Sequence, residues 1–345
     1  MKTVRWGLLS TANINRRLIP AIRASQRGEL VAVASRTQAS ADAYAQKWDI
    51  PQAFGSYQAM LASGAVDAVY ISLPNHLHAE WSIQAMRAGV AVLCEKPFAL
   101  TLAEVDEMIA VHEETGVPLA EAFMYLHHPQ TKIARDWVQS GRLGTISLVR
   151  GTFDFAMSNP DGNIRMDPAL GGGCLWDVGV YPMSFAQFVM GGKPAWVLGT
   201  QWVGPTGVDE TFAGQMGYTQ GAVAQGAVAQ GAVAQGAIAQ IASSFRTPYH
   251  TFFEIVGTEG RLHLTRPFTG LDGDDRSFTF TNKNGISEEL PVPEVELYSG
   301  EVEDMHAALL DQTPNALSLT ETRNHIQTVL ALYESAKTGK IVYLP

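Results

Sequence analysis

Three residues of this chain, Lys96, Asp177 and Tyr181, are of types that together could move a proton at a carbon centre. A phenol titrates at about 10, and a neighbouring ammonium favours its phenolate, so a tyrosine beside a lysine can exchange a proton at neutral pH. Lys96 stands in Ala91-Val-Leu-Cys-Glu-Lys-Pro97, an apolar run that ends abruptly in a carboxylate, an ammonium and a proline. The run is too short for a helix and suits a buried parallel strand. Charge just past the carboxyl end of such a strand lies where open α/β sheets bind ligands. Pro97 stops the strand, and Lys96–Pro97 is a candidate cis bond. Asp177 and Tyr181 close the stretch Arg165-Met-Asp-Pro-Ala-Leu-Gly-Gly-Gly-Cys-Leu-Trp-Asp-Val-Gly-Val-Tyr181, four residues apart. On a helix beginning near Asp177 they share a face. Each has a plainer reading: a surface Glu-Lys pair, an N-cap aspartate and a core aromatic.

The elements that position Lys96 occupy residues 1–122, where strands alternate with helices as in a doubly wound parallel sheet. Thr3–Leu9 reads as a strand, and Asn13–Ser25 as a helix with Ile14, Leu18, Ile19 and Ile22 on one face. Between them Ser10-Thr-Ala-Asn-Ile-Asn15 fills the place of a Gly-x-Gly-x-x-Gly turn, with Ser, Ala and Asn for the glycines. Small residues still let a pyrophosphate approach the backbone, and the helix start supplies N–H donors. Thr11, Ala12, Asn13 and Ile14 are therefore cofactor candidates with Ser10. After the next strand, Leu30–Ser35, comes Arg36 rather than an acid. Ser35 and Arg36 suit the 2′-phosphate of NADP, NAD being the second choice.

Further elements are helices Ala41–Trp48, with Ser40 as cap, and Tyr57–Ala62, and a strand Ala68–Ser72. That strand opens into Leu73-Pro-Asn-His-Leu-His78 before a helix Ala79–Ala88, which places Leu73, Asn75 and His78 at the carboxyl edge of the sheet. His76 and His78 have no third ligand at metal spacing, so no metal is assigned. Thr101-Leu-Ala-Glu104 is a capping box for a helix to about Glu114, and Pro118–Ala122 is a last short strand.

Residues 123–345 change pattern. A helix ending near Gly141 precedes strands Ile146–Met157, Trp196–Val203, Thr211–Tyr218, Phe252–Val256, Arg261–Thr265 and Phe278–Thr281. Strands without intervening helices predict an α+β domain with a large, mostly antiparallel sheet. Helices Gly300–Asp311 and Leu319–Thr338 and a strand Lys340–Leu344 follow. Across residues 220–240 a Gly-Ala-Val-Ala-Gln unit recurs, with copies from Gly221, Gly226, Gly231 and Gly236. A period of five alternates strand faces. It reads as an expansion that lengthens a hairpin between Thr211–Gln220 and Gly236–Phe245, with an oligomerisation edge as the alternative.

The net charge of −10 argues against nucleic acid or an anionic membrane as partner. No run of about 18 apolar residues is present to span a bilayer. With two cysteines, no disulfide framework and no leader-like segment at the start, a cytoplasmic setting is expected.

Taken together, Glu95-Lys96-Pro97, Leu73-Pro-Asn-His-Leu-His78, Gly171-Gly-Gly-Cys-Leu-Trp-Asp177 and Ile255-Val-Gly-Thr-Glu-Gly-Arg261 resemble the Gfo/Idh/MocA oxidoreductases over nearly the whole chain. Many members carry His where Tyr181 stands. The tyrosine is similar to the branch of glucose–fructose oxidoreductase, dimeric dihydrodiol dehydrogenase and aldose dehydrogenases. Met124-Tyr-Leu-His-His-Pro-Gln130 is similar to that branch's Tyr-Arg-Phe-His-Pro pattern, with Leu126 replacing the arginine. The resemblance implies a Rossmann domain with NADP across its strand ends, and Glu95 and Lys96 beside it. It further implies a sugar or related carbonyl substrate near Tyr125, His128, Arg165, Trp176 and Asp177, with Tyr181 as acid–base group assisted by Lys96. An open sheet face would join a homodimer or homotetramer. An NAD-dependent polyol or inositol dehydrogenase, or a nucleotide-sensing regulator without catalysis, are the rival expectations.

Overall fold

Strand β1 (Val4–Leu9) is buried at every position but Arg5, the pattern of a strand covered on both faces. The structure is a computed structural model and describes residues 3–218, 236–269 and 276–345. After β1 come α1 (Asn15–Ala24), β2 (Gly28–Ala34), α2 (Gln38–Trp48), β3 (Gln52–Phe54), α3 (Tyr57–Ala62) and β4 (Ala68–Ile71). Next are α4 (His78–Arg87), β5 (Ala91–Glu95), α5 (Leu102–Thr115) and β6 (Leu119–Ala122). The chain continues with α6 (Pro129–Gln139), β7 (Ile146–Asp154), α7 (Val180–Met190), β8 (Trp196–Val203), β9 (Asp209–Gly217) and β10 (Ile238–Ser244). It ends with β11 (His250–Gly257), β12 (Gly260–Thr265), β13 (Phe278–Asn282), β14 (Ser287–Glu289), α8 (Ser299–Leu310), α9 (Leu319–Thr338) and β15 (Val342–Tyr343). Two compact units result: Met1–His127 with Glu296–Arg323, and His128–Val295 with Asn324–Pro345.

The first unit holds a sheet of order β3-β2-β1-β4-β5-β6, parallel throughout. The strand order reverses between β1 and β4, the place where doubly wound sheets bind ligands. Leu9 pairs with Ile71 and Ile71 with Cys94, so the residues after β1, β4 and β5 emerge on one edge. Helix α2 starts at Gln38, earlier than expected, because Thr37 and not Ser40 is its cap: the Thr37 hydroxyl accepts from the Ser40 N–H at 3.3 Å. The Thr101–Glu104 capping box of α5 is present. Residues 296–323, grouped with the later strands on sequence, pack in the first unit. There the fully buried Trp6 donates to His306 at 2.9 Å, and Asn315 donates to the Leu119 carbonyl at 3.0 Å.

The second unit is built on a nine-stranded sheet, β14-β13-β12-β11-β7-β10-β9-β8-β15. Every pair is antiparallel except β7 with β10. Helix α7, buried along its whole length, covers one face. Gly151 permits this approach, since a Cβ there would lie 2.7 Å from Phe253 and 2.9 Å from Pro182. The other face carries the ion chain Arg150–Glu254–Arg261 and a Phe252–His263 stack. β7 closes at Asp154, short of Met157, although the Phe155 and Met157 N–H groups still bond the Ser244 and Phe245 carbonyls. The arms of the expected hairpin pair with Gly217 opposite Ile238. Most of the pentapeptide repeat, residues 219–235, lies outside the described residues. No helix of the described residues is long and apolar enough to cross a membrane.

Candidate active site

At the reversal between β1 and β4, Ser10 adopts φ 143°, a conformation that favours glycine. A closed polar circuit holds it there. Ser72 Oγ donates to Asn15 Oδ1 at 2.6 Å, so Ser10 Oγ is the donor in its 2.7 Å bond to Ser72 Oγ. Asn15 Nδ2 donates to the Ser10 carbonyl at 2.9 Å, and the Ala12 N–H donates to Ser10 Oγ at 3.1 Å. All three side chains are buried. The start of α1 carries no side-chain cap and no acid in its first turn, so no side-chain charge there opposes an anion at its positive end. Thr11, Ala12 and Ile14 are half-buried and Asn13 exposed around that start. Ser35 is buried at the end of β2, and Arg36 is exposed beside it. Just after β2 stands a guanidinium rather than a carboxylate, and these residues fit a dinucleotide.

Lys96 follows β5 through a cis bond to Pro97. The turn is held from three sides. Tyr70 on β4 donates to Glu95, the Lys96 N–H donates to Glu95 Oε2 at 3.2 Å, and the Phe98 N–H donates to Glu121 at 3.2 Å. Burial, and then the charge of Glu95, push the Tyr70 phenol up, so it keeps its proton and remains the donor. His78 is fully buried with Nδ1 2.8 Å from the Pro97 carbonyl and Nε2 2.8 Å from the Leu73 carbonyl. Burial lowers its pKa. His78 thus sits between the end of β4 and the lysine turn, its one N–H donating to one of these two carbonyls. Asn75 is half-buried in the short turn Asn75–Leu77. Among the described residues no group of three or more His, Cys, Asp or Glu could hold a metal ion.

In the second unit, Asp177 does not cap a helix. It sits inside a π-helical turn, Leu175–Gly179, that runs into α7; such turns recur at functional sites. Its carboxylate accepts from Arg165 Nε at 2.6 Å. Tyr181, on the first turn of α7 and 6% exposed, places its ring 5.4 Å from Phe153 and 5.6 Å from Phe268. The cap position is Cys174, and the acceptor for the turn's first N–H is Asp209, whose Oδ2 accepts from Leu175 at 2.8 Å. Trp176 lies 5.7 Å from the Tyr333 ring. The structure therefore groups Arg165, Asp177, Trp176 and Tyr181 on one stretch.

Tyr125 is fully buried in the first unit against Phe123. His128, in the second, starts α6 and accepts at Nε2 from Arg276 at 2.9 Å. Burial, and then the Arg276 charge, bring the His128 pKa down to about 4, so the ring is neutral. Sequence reasoning missed Ser72, Tyr70, Glu121, Asp209 and Arg276, none of which belongs to a local motif. In sequence Asn15 reads only as a missing glycine.

Residues 4–123 match the oxidoreductase family with NAD-binding Rossmann fold, and residues 131–263 match the GFO/IDH/MocA C-terminal domain. The chain is 36% identical over 340 residues to D-xylose 1-dehydrogenase (NADP(+)) 2 of Haloferax volcanii, spanning 98% of this chain and 99% of that one. A 3-ketoreductase from Actinomadura kijaniata, solved with NADP and TDP-benzene, is 28% identical with a TM-score of 0.86, over 97% of this chain and 98% of that one. Aldose-aldose oxidoreductase from Caulobacter crescentus shares the fold at a TM-score of 0.87 and 22% identity, over 99% and 100% of the two chains. With the strand-end lysine, the dinucleotide turn and the tyrosine helix in place, the chain belongs to the Gfo/Idh/MocA family of oxidoreductases.

Proposed function

We propose that the protein is an NADP(H)-dependent oxidoreductase acting on a sugar carbon, C1 of an aldopyranose or a related carbonyl or dihydrodiol carbon. The observation that carries this reading is the seating of Tyr181 against the stacked pair Phe153 and Phe268, on the turn that follows the Asp177–Arg165 pair. NADP, when bound, accepts or supplies the hydride at its nicotinamide. In oxidation the Tyr181 phenolate takes the proton of the substrate hydroxyl as the carbon gives up hydride, and in reduction the phenol returns it. Apolar surroundings alone raise a phenol's pKa, so an ammonium is needed to hold the phenolate; Lys96 is assigned that part. Asp177, steadied by Arg165, orients the substrate hydroxyl. Trp176, Tyr125 and His128 are assigned to the sugar.

Ser10, Thr11, Ala12, Asn13 and Ile14 are assigned to the pyrophosphate and Ser35 with Arg36 to the 2′-phosphate. Leu73, Asn75, His78 and Glu95 form or support the nicotinamide edge. The NADP(+)-dependent D-xylose dehydrogenase of Haloferax volcanii and the 3-ketoreductase solved with NADP favour this choice. The outer face of the nine-stranded sheet, with its Arg150–Glu254–Arg261 chain, is assigned to contact between identical subunits. Light scattering should return the mass of a dimer or tetramer, and a monomer would refute that assignment.

The test of function is an absorbance screen at the reduced-nicotinamide band, crossing NADP+ and NAD+ with aldoses, inositols and dihydrodiols. Turnover of an aldose with NADP+ preferred is expected. Turnover of inositols alone with NAD+ preferred, or cofactor binding with no turnover, would overturn it.

A further inference from the structure

We infer that Asp209 is a positioning residue for the reaction, setting where Asp177 and Tyr181 stand; this rests on the functional reading above. Asp209 opens β9 and is 4% exposed. Its Oδ2 accepts from the Leu175 N–H at 2.8 Å and the Cys174 thiol at 3.1 Å, and its Oδ1 accepts from the Tyr333 hydroxyl at 2.8 Å. One carboxylate thus joins β9 and α9 to the start of the π-helical turn. A helix start satisfied by an acceptor held elsewhere in the fold is fixed in place as well as in hydrogen bonding.

The three donors suit a charged acceptor. Burial pushes the Cys174 thiol and the Tyr333 phenol up, and the Asp209 charge adds to this, so both keep their protons. Burial also raises the Asp209 carboxyl, while the bonds from Leu175, Cys174 and Tyr333 oppose that rise.

The glycine run is shaped around this carboxylate. Gly173 has φ 122°, and a Cβ on it would strike Asp209 Oδ1. A Cβ on Gly172 would lie 2.5 Å from the Arg165 carbonyl, and the Gly173 N–H donates to that same carbonyl at 2.9 Å. The stretch that seats Asp209 therefore also locates Arg165, the partner of Asp177. On the far side of the turn, a Cβ on Gly179 would lie 2.8 Å from Ser243 Oγ, which itself donates to Cys174 at 3.4 Å. Asp177 is carried between two fixed ends, and Tyr181 follows two residues beyond the second, on α7.

The experiment compares Asp209→Asn, Tyr181→Phe and the double variant, using NADP+ and the aldose of highest rate in the screen. Asp209→Asn keeps the side-chain shape but removes the charge and turns a donor toward donors. It should lower kcat at least tenfold, with KM within about threefold and the NADPH dissociation constant, read by fluorescence, within about twofold. In the Tyr181→Phe background the further loss should be less than twofold. An unchanged kcat, or the same loss in both backgrounds, would overturn the role of Asp209. Tyr181→Phe with full turnover would overturn the functional reading itself, and the role of Asp209 with it. If Asp209→Asn does not fold, Tyr333→Phe decides: a threefold or greater fall in kcat with NADPH binding unchanged supports the role, and unaltered kcat refutes it.

Discussion

The side-chain amide of Asn15 donates to the Ser10 carbonyl at 2.9 Å, across the turn where dinucleotide sites commonly carry glycine. The three replacements in that motif are not independent losses. Ser10 takes the glycine conformation, and Asn15 with Ser72 holds it there. Such a backbone costs on the order of 1–3 kcal/mol unless its surroundings over-determine it. Asn15→Ala leaves the Ser10 carbonyl without its side-chain donor and the Ser72 hydroxyl without its acceptor. It should destabilise the protein by about 1–3 kcal/mol and weaken NADPH binding. Ser10→Gly removes the strain along with the bonds and should cost less than Asn15→Ala. Thermal unfolding and NADPH fluorescence titration check both, and equal costs would contradict the lock.

Arg36 follows β2 with its side chain exposed and no acid beside it in sequence. Charge-assisted bonds to a phosphate contribute about 1.5–3 kcal/mol. Arg36→Ala should therefore raise the dissociation constant for NADP+ by roughly 10–100-fold and leave that for NAD+ nearly unchanged. Isothermal titration with the two cofactors checks this, and equal weakening of both would remove Arg36 from the 2′-phosphate.

Glu301, on α8, is 1% exposed, and neither carboxyl oxygen has a hydrogen-bond partner among the described residues. Burial, and then the charge of Glu95, raise its pKa well above the ordinary 4.5. The folded protein keeps this proton after the unfolded chain has lost it. The stability tied to Glu301 is thus complete below about pH 4.5 and declines as pH rises toward the folded pKa, by about 1.4 kcal/mol per unit. Glu301→Gln cannot ionise, so its melting temperature should fall less than that of the wild type as pH rises above about 4.5. Parallel curves would show that Glu301 is not protonated in the fold.

The parts of the fold legible in sequence are those written locally. The Thr101–Glu104 box, the apolar runs of β1, β4 and β5 and the glycine stop at Gly141 are set by neighbours within a turn or a strand. The cap of α2 was misplaced by three residues, because Thr37 and Ser40 are both good capping types and bond each other. Asp177 has the right type and place for a cap, yet the acceptor for the turn's first N–H is Asp209, 34 residues from Leu175 in sequence. No spacing rule encodes a partner brought by another strand. Asn15 shows the converse limit, a motif position whose meaning depends on Ser72, 57 residues away. The return of Trp6's partner His306 to the first unit is likewise a long-range fact.

The acid–base role of Tyr181 with Lys96 is the central claim. The measurement is steady-state kinetics of Tyr181→Phe with NADP+ and the preferred aldose, beside its NADPH dissociation constant. General acid–base catalysis contributes about 10²–10⁴-fold. The account predicts a fall in kcat of that order, with KM and NADPH binding changed by no more than a few fold. Turnover equal to the wild type would contradict it.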